Sequence, residues 1–125
     1  MIRDGETTSV ALVTAAFDRI AKNDDALKAW IWLDRDGALA QAQAMDQLRQ
    51  SGRALGALHG VPIGLKDIID TADMPTECGS VAFAGRQPKF DAVLVSRLKA
   101  AGAVILGKTA TTPFAFMDPA ATRNP

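Results

Sequence analysis

The sequence predicts an α/β protein in which helices pack against a sheet. Residues 103–106 form an unbroken apolar run, which is typical of a strand covered on both faces. A segment with helical periodicity ends at Gly102, directly before that run, and this order of helix, glycine and buried strand is typical of α/β folds. The 125 residues are 48% hydrophobic and 22% charged, which fits a single domain with its own core.

The first half of the chain predicts two helices around a short strand. Apolar residues at helical spacing predict the first helix over residues 9–22, and the polar residues 23–25 are expected to end it. The alternating segment 30–33 predicts a strand with apolar residues on both faces. Asp36 is expected to cap a second helix that ends near Gly52.

The second half predicts a strand, a long loop and a third helix before the apolar run. Residues 61–65 read as a short strand that enters Lys66. Residues 71–89 are rich in proline and glycine and are expected to form a loop. Asp91 is expected to cap the third helix. Three helices and three short strands are not expected to pair both edges and cover both faces of the apolar strand, so the isolated chain should expose part of its core.

Lys66 is the residue most clearly suited to a catalytic role. It is flanked by Ile63 and Leu65 and preceded by two glycines and a proline. Apolar surroundings disfavour the charged form of a lysine and lower its pKa, which would let the amine act as a general base near neutral pH. The alternative is that Lys66 buries only its apolar stem and keeps its ammonium in water.

The segment around this lysine, LHGVPIGLKDIIDTADMPTECGS, resembles the lysine-bearing stretch of the amidase signature family. The similarity continues through DAVLVSRLKAAGAVILGKT and FAFMDPAATRNP, and it reaches back through GETTSVALVTAAFDRI and ALAQAQAMDQL. The resemblance implies that residues 1–125 are the N-terminal portion of a single amidase domain, with helices packed on a mixed sheet that is incomplete in this chain. It also implies that Lys66 is the catalytic lysine of a Ser–cis-Ser–Lys triad, in which the lysine activates a bridging serine and that serine activates the nucleophile.

By the same resemblance the protein is expected to hydrolyse a small-molecule carboxylic amide without a cofactor or metal. The family's two serines follow the Thr-Arg-Asn-Pro motif that here occupies residues 122–125, so this chain alone is expected to be inactive. Two alternatives remain open: a glutaminase-type A subunit of a transamidosome complex, and an inert amidase fragment with at most an association role. A homo-oligomer is a further expectation.

Composition argues against several other classes of protein. Fourteen basic and fourteen acidic side chains cancel, so nothing favours binding to nucleic acid. Cys78 is the only cysteine, which excludes an internal disulfide and a metal site built on cysteines. The sequence lacks the apolar run of a signal peptide or a membrane helix, and a cytoplasmic location is expected.

Residues 102–109, GAVILGKT, match the G-x4-G-K-T pattern of a phosphate-binding loop. In a true phosphate loop these residues follow a strand, whereas here the four middle residues are apolar and read as the strand itself. We therefore expect no nucleotide to bind there.

Three acidic residues, Asp67, Asp70 and Asp73, recur at every third position after Lys66. They are expected to be solvated loop carboxylates rather than metal ligands. Asp67 would raise the lysine pKa if it pointed at Lys66, and would hold the turn if it pointed away, and the sequence leaves both open. His59 is expected to be a hydrogen-bonded structural histidine.

Overall fold

The computed structural model describes residues 1–124, and Pro125, the last residue of the Thr-Arg-Asn-Pro motif, lies outside them. The α/β prediction is confirmed, and the elements follow one another as α1 (Ser9–Leu27), β1 (Trp30–Leu33), α2 (Arg35–Gln50), β2 (Pro62–Lys66), α3 (Val93–Ala100) and β3 (Val104–Thr109). Single 3₁₀ turns occupy Val81–Phe83 and Pro113–Ala115. The proline- and glycine-rich residues 71–89 form a loop, as predicted, apart from the first of these turns.

The three strands form one mixed sheet with β3 in the centre. The strand order is β1-β3-β2. Strand β3 is antiparallel to β1 and parallel to β2, and Lys66 at the end of β2 lies opposite Thr109. Loop 67–92 and helix α3 make the crossover that two parallel strands require.

The core lies in two layers, one on each face of β3. Val104 and Leu106 pack with residues of α1 and α2, among them Phe17. Ile105 packs on the opposite face against Val95 of α3 and its neighbours. The expectation that β3 would lack cover is wrong, because alternate side chains of one strand serve both layers and β1 and β2 pair both of its edges.

Exposed apolar side chains occur outside β3, in the loops, on the outer side of α3 and on the neighbouring strand β1. Val81, Phe90 and Met117 are 97%, 80% and 80% exposed, and Val93 is 69% exposed. The expected exposure of apolar surface is therefore present, but it does not include the central strand.

Helix α1 is longer than predicted. It runs to Leu27, because the polar residues 23–25 continue the helix instead of ending it. Lys28 in the left-handed conformation ends it, with its N–H donating to the carbonyl of Asp24 at 2.7 Å. The Asp24 carboxylate then accepts from the N–H of Ala29 at 2.8 Å, which ties the end of the helix to the start of β1.

The predicted caps of the other two helices are also wrong. Asp34, not Asp36, caps α2, and its carboxylate accepts from the N–H of Gly37 at 2.9 Å. Helix α3 begins without a side-chain cap, because the Asp91 carboxylate accepts instead from the N–H of Ala72 and from Lys99. Strand β3 continues to Thr109, past the predicted end at Leu106.

Candidate functional site

Lys66 is the last residue of β2, so the prediction of a strand that enters this lysine is confirmed. Its side chain is exposed in this chain, whereas Leu65 is 3% exposed and lies in the layer beneath α3. The apolar neighbours in sequence do not surround the lysine, because successive side chains of a strand point to opposite faces. The strand fixes where the amine emerges and leaves it accessible.

Asp67 anchors the chain directly after this strand. Its side chain is buried, and its N–H donates to the carbonyl of Thr109 at 3.0 Å. The two carboxylate oxygens accept from the N–H of Glu77 at 3.1 and 3.2 Å, and one of them accepts from Gly79 at 3.4 Å. The carbonyl of Asp67 accepts from the N–H of Cys78 at 2.9 Å. Asp67 therefore clamps residues 77–79 against the end of the strand.

The direction of Asp67 answers the question that the sequence left open. Within residues 1–124 its carboxylate forms no ion pair with Lys66 and binds backbone amides instead. The prediction that it is a solvated loop carboxylate is wrong, because its side chain is 1% exposed. Asp67 has the role of holding the turn.

The deeply buried lysine of this region is Lys108. Its side chain is 0% exposed, and its ammonium donates to the carbonyl of Ile69 and to the hydroxyl of Thr76, both at 2.6 Å. Burial lowers the pKa of Lys108, and the negative charges of Asp67 and Asp70 oppose that shift.

A β-bulge explains why Lys108 points inward. Ile63 pairs with Ile105, but Gly64 pairs with Gly107, so Leu106 is an extra residue on β3. After the bulge Lys108 lies opposite Leu65 and shares its face, toward α3. Simple alternation along residues 103–109 would place Lys108 on the other face, so sequence reasoning missed it.

Gly107 allows the close pairing of β3 with β1 at this bulge. A Cβ atom at position 107 would collide with the carbonyl oxygen of Trp32. The G-x4-G-K-T match is therefore a strand pattern, in which the second glycine serves strand pairing and the lysine serves the loop beneath it. This geometry agrees with the expectation that residues 102–109 are not a phosphate loop.

The remaining acidic residues of the segment are held by cations. Asp70 makes two hydrogen bonds to the guanidinium of Arg86, at 2.6 and 2.8 Å, which lower the pKa of Asp70. Lys99 bridges Asp73 and Asp91 at 2.8 Å each. Burial alone would lower the pKa of Lys99, but these two hydrogen bonds raise it overall. Residues 1–124 contain no group of three His, Cys, Asp or Glu side chains arranged for a metal.

Cys78 and His59 are two further side chains in this region whose residue types often take part in catalysis. Cys78 is half-buried with φ of 55°, and burial together with the charge of Asp67 raises the pKa of its thiol. A thiol with a raised pKa is seldom present as the nucleophilic thiolate, so Cys78 is a poor candidate for a reactive cysteine. His59 is buried, and no residue of the described chain forms the hydrogen bond that was expected of its ring nitrogens.

Two grooves lie near the sheet, and Lys66 lines neither of them. The first, of about 480 Å³, is apolar and lies between α1 and β1, with Leu12, Ile20, Leu27 and Trp30 in its walls. The second, of about 690 Å³, lies beside the loop after Lys66 and is lined by Ile68, Asp70, Arg86, Phe90 and Leu94 among others.

No helix within residues 1–124 combines the length and hydropathy that a membrane span requires.

Comparison with known proteins gives a consistent result. The family model described as Amidase matches residues 11–124. The chain is 47% identical over 115 residues to the A subunit of glutamyl-tRNA(Gln) amidotransferase from Streptomyces coelicolor, covering 92% of this chain and 23% of that protein. The relative of the same name in Streptomyces avermitilis is 46% identical over the same share of both chains.

Solved structures show the same relationship. The native peptide amidase of Stenotrophomonas maltophilia is 44% identical and superposes with a TM-score of 0.84, covering 90% of this chain and 23% of that one. The chain thus spans about a quarter of the length of the curated relatives and solved structures it matches. On this agreement of sequence, family model and fold, the chain belongs to the amidase signature family.

Proposed function

We propose that the protein hydrolyses a carboxylic amide and that Lys66 is its catalytic lysine. The observation that carries this proposal is the position of Lys66, exposed at the end of strand β2, in a segment that lies within the family match. Two constraints hold that strand end: the pairing of Lys66 with Thr109 and the clamp formed by Asp67. The backbone from which the amine projects is therefore fixed, which reduces part of the entropy cost of bringing the amine to a partner group.

In the proposed mechanism Lys66 acts through two serines that lie outside these residues. The neutral amine accepts a proton from the bridging serine, which in turn accepts one from the nucleophilic serine. The nucleophile attacks the amide carbonyl, the carbon–nitrogen bond breaks, and the leaving nitrogen takes the proton back as ammonia or an amine. Water then hydrolyses the acyl-enzyme. Residues 1–125 alone are proposed to be inactive, because they would supply only the lysine of this relay.

The test uses the protein that the complete reading frame encodes, assayed for release of ammonia or amine from simple carboxamides. Lys66→Ala is expected to lower turnover by at least about three orders of magnitude, as loss of a member of a catalytic relay does. Lys22→Ala, which removes an exposed lysine of α1, is the matched control and should leave turnover unchanged. Near-normal turnover in the Lys66 variant would contradict the proposal.

A second candidate is a glutaminase-type A subunit that passes ammonia to a partner. It is favoured by the names of the two Streptomyces relatives, both of which are A subunits of a glutamyl-tRNA(Gln) amidotransferase. Preference for glutamine over peptide amides and simple carboxamides would support it, and the reverse preference would support a free-standing amidase. Absence of turnover on every amide would instead favour the inert alternative with an association role. Homo-oligomerisation and a cytoplasmic location remain proposals that sedimentation and localisation experiments address.

A further inference from the structure

We propose that Lys108 is a positioning residue that fixes the Lys66 end of β2 through the loop beneath it. The consequence for catalysis rests on the proposed role of Lys66, whereas the geometric part stands on the contacts of the described chain. Lys108 is fully buried and lies opposite Leu65, the residue that precedes Lys66 in β2.

A short chain of hydrogen bonds connects the two lysines. The ammonium of Lys108 donates to the carbonyl of Ile69 at 2.6 Å, and the N–H of Ile69 donates to the carbonyl of Lys66 at 3.0 Å. One peptide-bonded residue thus links the buried cation to the backbone of the proposed catalytic residue. Loss of the ammonium would free Ile69 to move, and the turn after Lys66 would loosen with it.

Thr76 closes the same arrangement from the other side of the loop. Its hydroxyl accepts from Lys108 at 2.6 Å and donates to the carbonyl of Ile69 at 3.4 Å. Asp67 holds the adjacent amides of Glu77 and Gly79. The buried ammonium therefore joins both ends of the loop, residues 69 and 76, beneath the strand end.

The chemistry of this contact favours a geometric role over a purely stabilising one. Taking a cation out of water is costly, so a buried charge is a weak source of net stability, but it is directional and satisfies only acceptors in the right places. An apolar side chain of the same length would fill the space without fixing Ile69. Displacement of a catalytic group by about 1 Å can cost about 100-fold in rate.

The test combines hydrogen exchange and kinetics on the protein encoded by the complete reading frame. Lys108→Met keeps an unbranched stem that matches lysine up to Cε and removes the ammonium. Thr76→Val removes the hydroxyl at nearly constant shape, and Thr76→Ser restores it. Lys99→Met is the matched control, because Lys99 ties the same segment through Asp73 and Asp91 but has no bond to the turn after Lys66.

Amide exchange resolved to single residues should show faster exchange at Ile69 by at least tenfold in Lys108→Met and by several-fold in Thr76→Val. Thr76→Ser and Lys99→Met should match the parent at this amide. The catalytic consequence is a 10- to 100-fold fall in kcat in Lys108→Met with KM changed less than threefold. Thr76→Val should show a smaller fall, and Thr76→Ser should restore the parent value.

Unchanged exchange at Ile69 in both Lys108→Met and Thr76→Val would overturn the inference. An equal rise in KM and exchange throughout the sheet would also overturn it, since that pattern reports general destabilisation. If Lys108→Met fails to fold, the Thr76→Val and Thr76→Ser pair decides by the same criteria. Exchange needs no turnover, so a failure of the proposed function is distinguishable from a failure of this inference. The former is seen as absence of amide turnover in the parent protein or as full activity in Lys66→Ala.

Discussion

Replacing Asp67 with alanine should destabilise the chain, because the carboxylate is the buried acceptor for the loop that follows β2. It is 1% exposed and accepts from the N–H groups of Glu77 and Gly79. Hydrogen bonds to a charged group contribute about 1.5–3 kcal/mol each, and a buried donor left without a partner costs about 1–3 kcal/mol. The bonds here are 3.1–3.4 Å long, which places them at the weak end of that range.

Removing the cost of burying a carboxylate offsets part of this loss. We therefore expect Asp67→Ala to lower the free energy of unfolding by about 2–4 kcal/mol. Asp67→Asn keeps one acceptor oxygen but turns an N–H₂ group toward backbone donors. It should lower the free energy of unfolding by about half as much as Asp67→Ala. These values are large against the roughly 5–15 kcal/mol that separates folded from unfolded domains.

The assay is urea unfolding followed by circular dichroism, with Asp25→Ala as the control. Asp25 is on α1 and its side chain is fully exposed, so its replacement should leave the urea midpoint unchanged. A loss below about 0.5 kcal/mol in Asp67→Ala, with an unchanged dependence on urea, would show that the buried carboxylate does not hold the loop.

Three further predictions concern the same sheet and loop. Arg86 lowers the pKa of Asp70, so the ion pair contributes stability above about pH 4 that is lost as the pH falls through the folded-state pKa. In Asp70→Asn the free energy of unfolding should therefore fall less steeply as the pH is lowered below about 4. An unchanged dependence on pH would contradict this. Gly107→Ala should lower the free energy of unfolding by about 1–3 kcal/mol through its collision with the Trp32 carbonyl, measured by thermal melting, and an unchanged melting temperature would show that the strands can separate freely. Calorimetric titration with ATP and magnesium should give no heat of binding, whereas micromolar affinity abolished by Lys108→Ala would restore the phosphate-loop interpretation.

Local periodicity predicted most of the architecture. The apolar run before Gly107, the alternation around Trp30 and the helical spacing of α1 each depend on neighbours within a few residues, and all three elements are present. The position of Lys66 at a strand end followed from the same kind of pattern. Elements of this kind can be predicted from the sequence because their patterns involve only neighbouring residues.

Features set by tertiary contacts could not be predicted in the same way. Asp36 and Asp91 looked like caps, but Asp34 caps α2 and Asp91 instead holds Ala72 and Lys99 across the loop. A carboxylate is an equally good acceptor for a nearby helix and for a distant amide, and the sequence does not show which donor comes closer.

At the candidate site, too, tertiary contacts decide which lysine is buried. Lys66 attracted attention for its apolar neighbours, yet those neighbours face the other side of the sheet and Lys108 is the buried lysine. The bulge at Leu106 that turns Lys108 inward depends on pairing with β2, about 40 positions earlier in the chain. The partners of Lys108, Ile69 and Thr76, lie 39 and 32 positions away in the sequence, so short-range patterns do not reveal them.

The rate of acylation is the sharpest test of the proposed role of Lys66 as the catalytic lysine. Nitroaniline leaves a carboxylic p-nitroanilide in the acylation step, so stopped-flow absorbance of nitroaniline measures that step before the acyl-enzyme is hydrolysed. The assay uses the protein that the complete reading frame encodes. We expect Lys66→Ala to slow this release by at least about 1,000-fold and Lys22→Ala to leave it unchanged. Release by Lys66→Ala within about tenfold of the parent rate would contradict the claim.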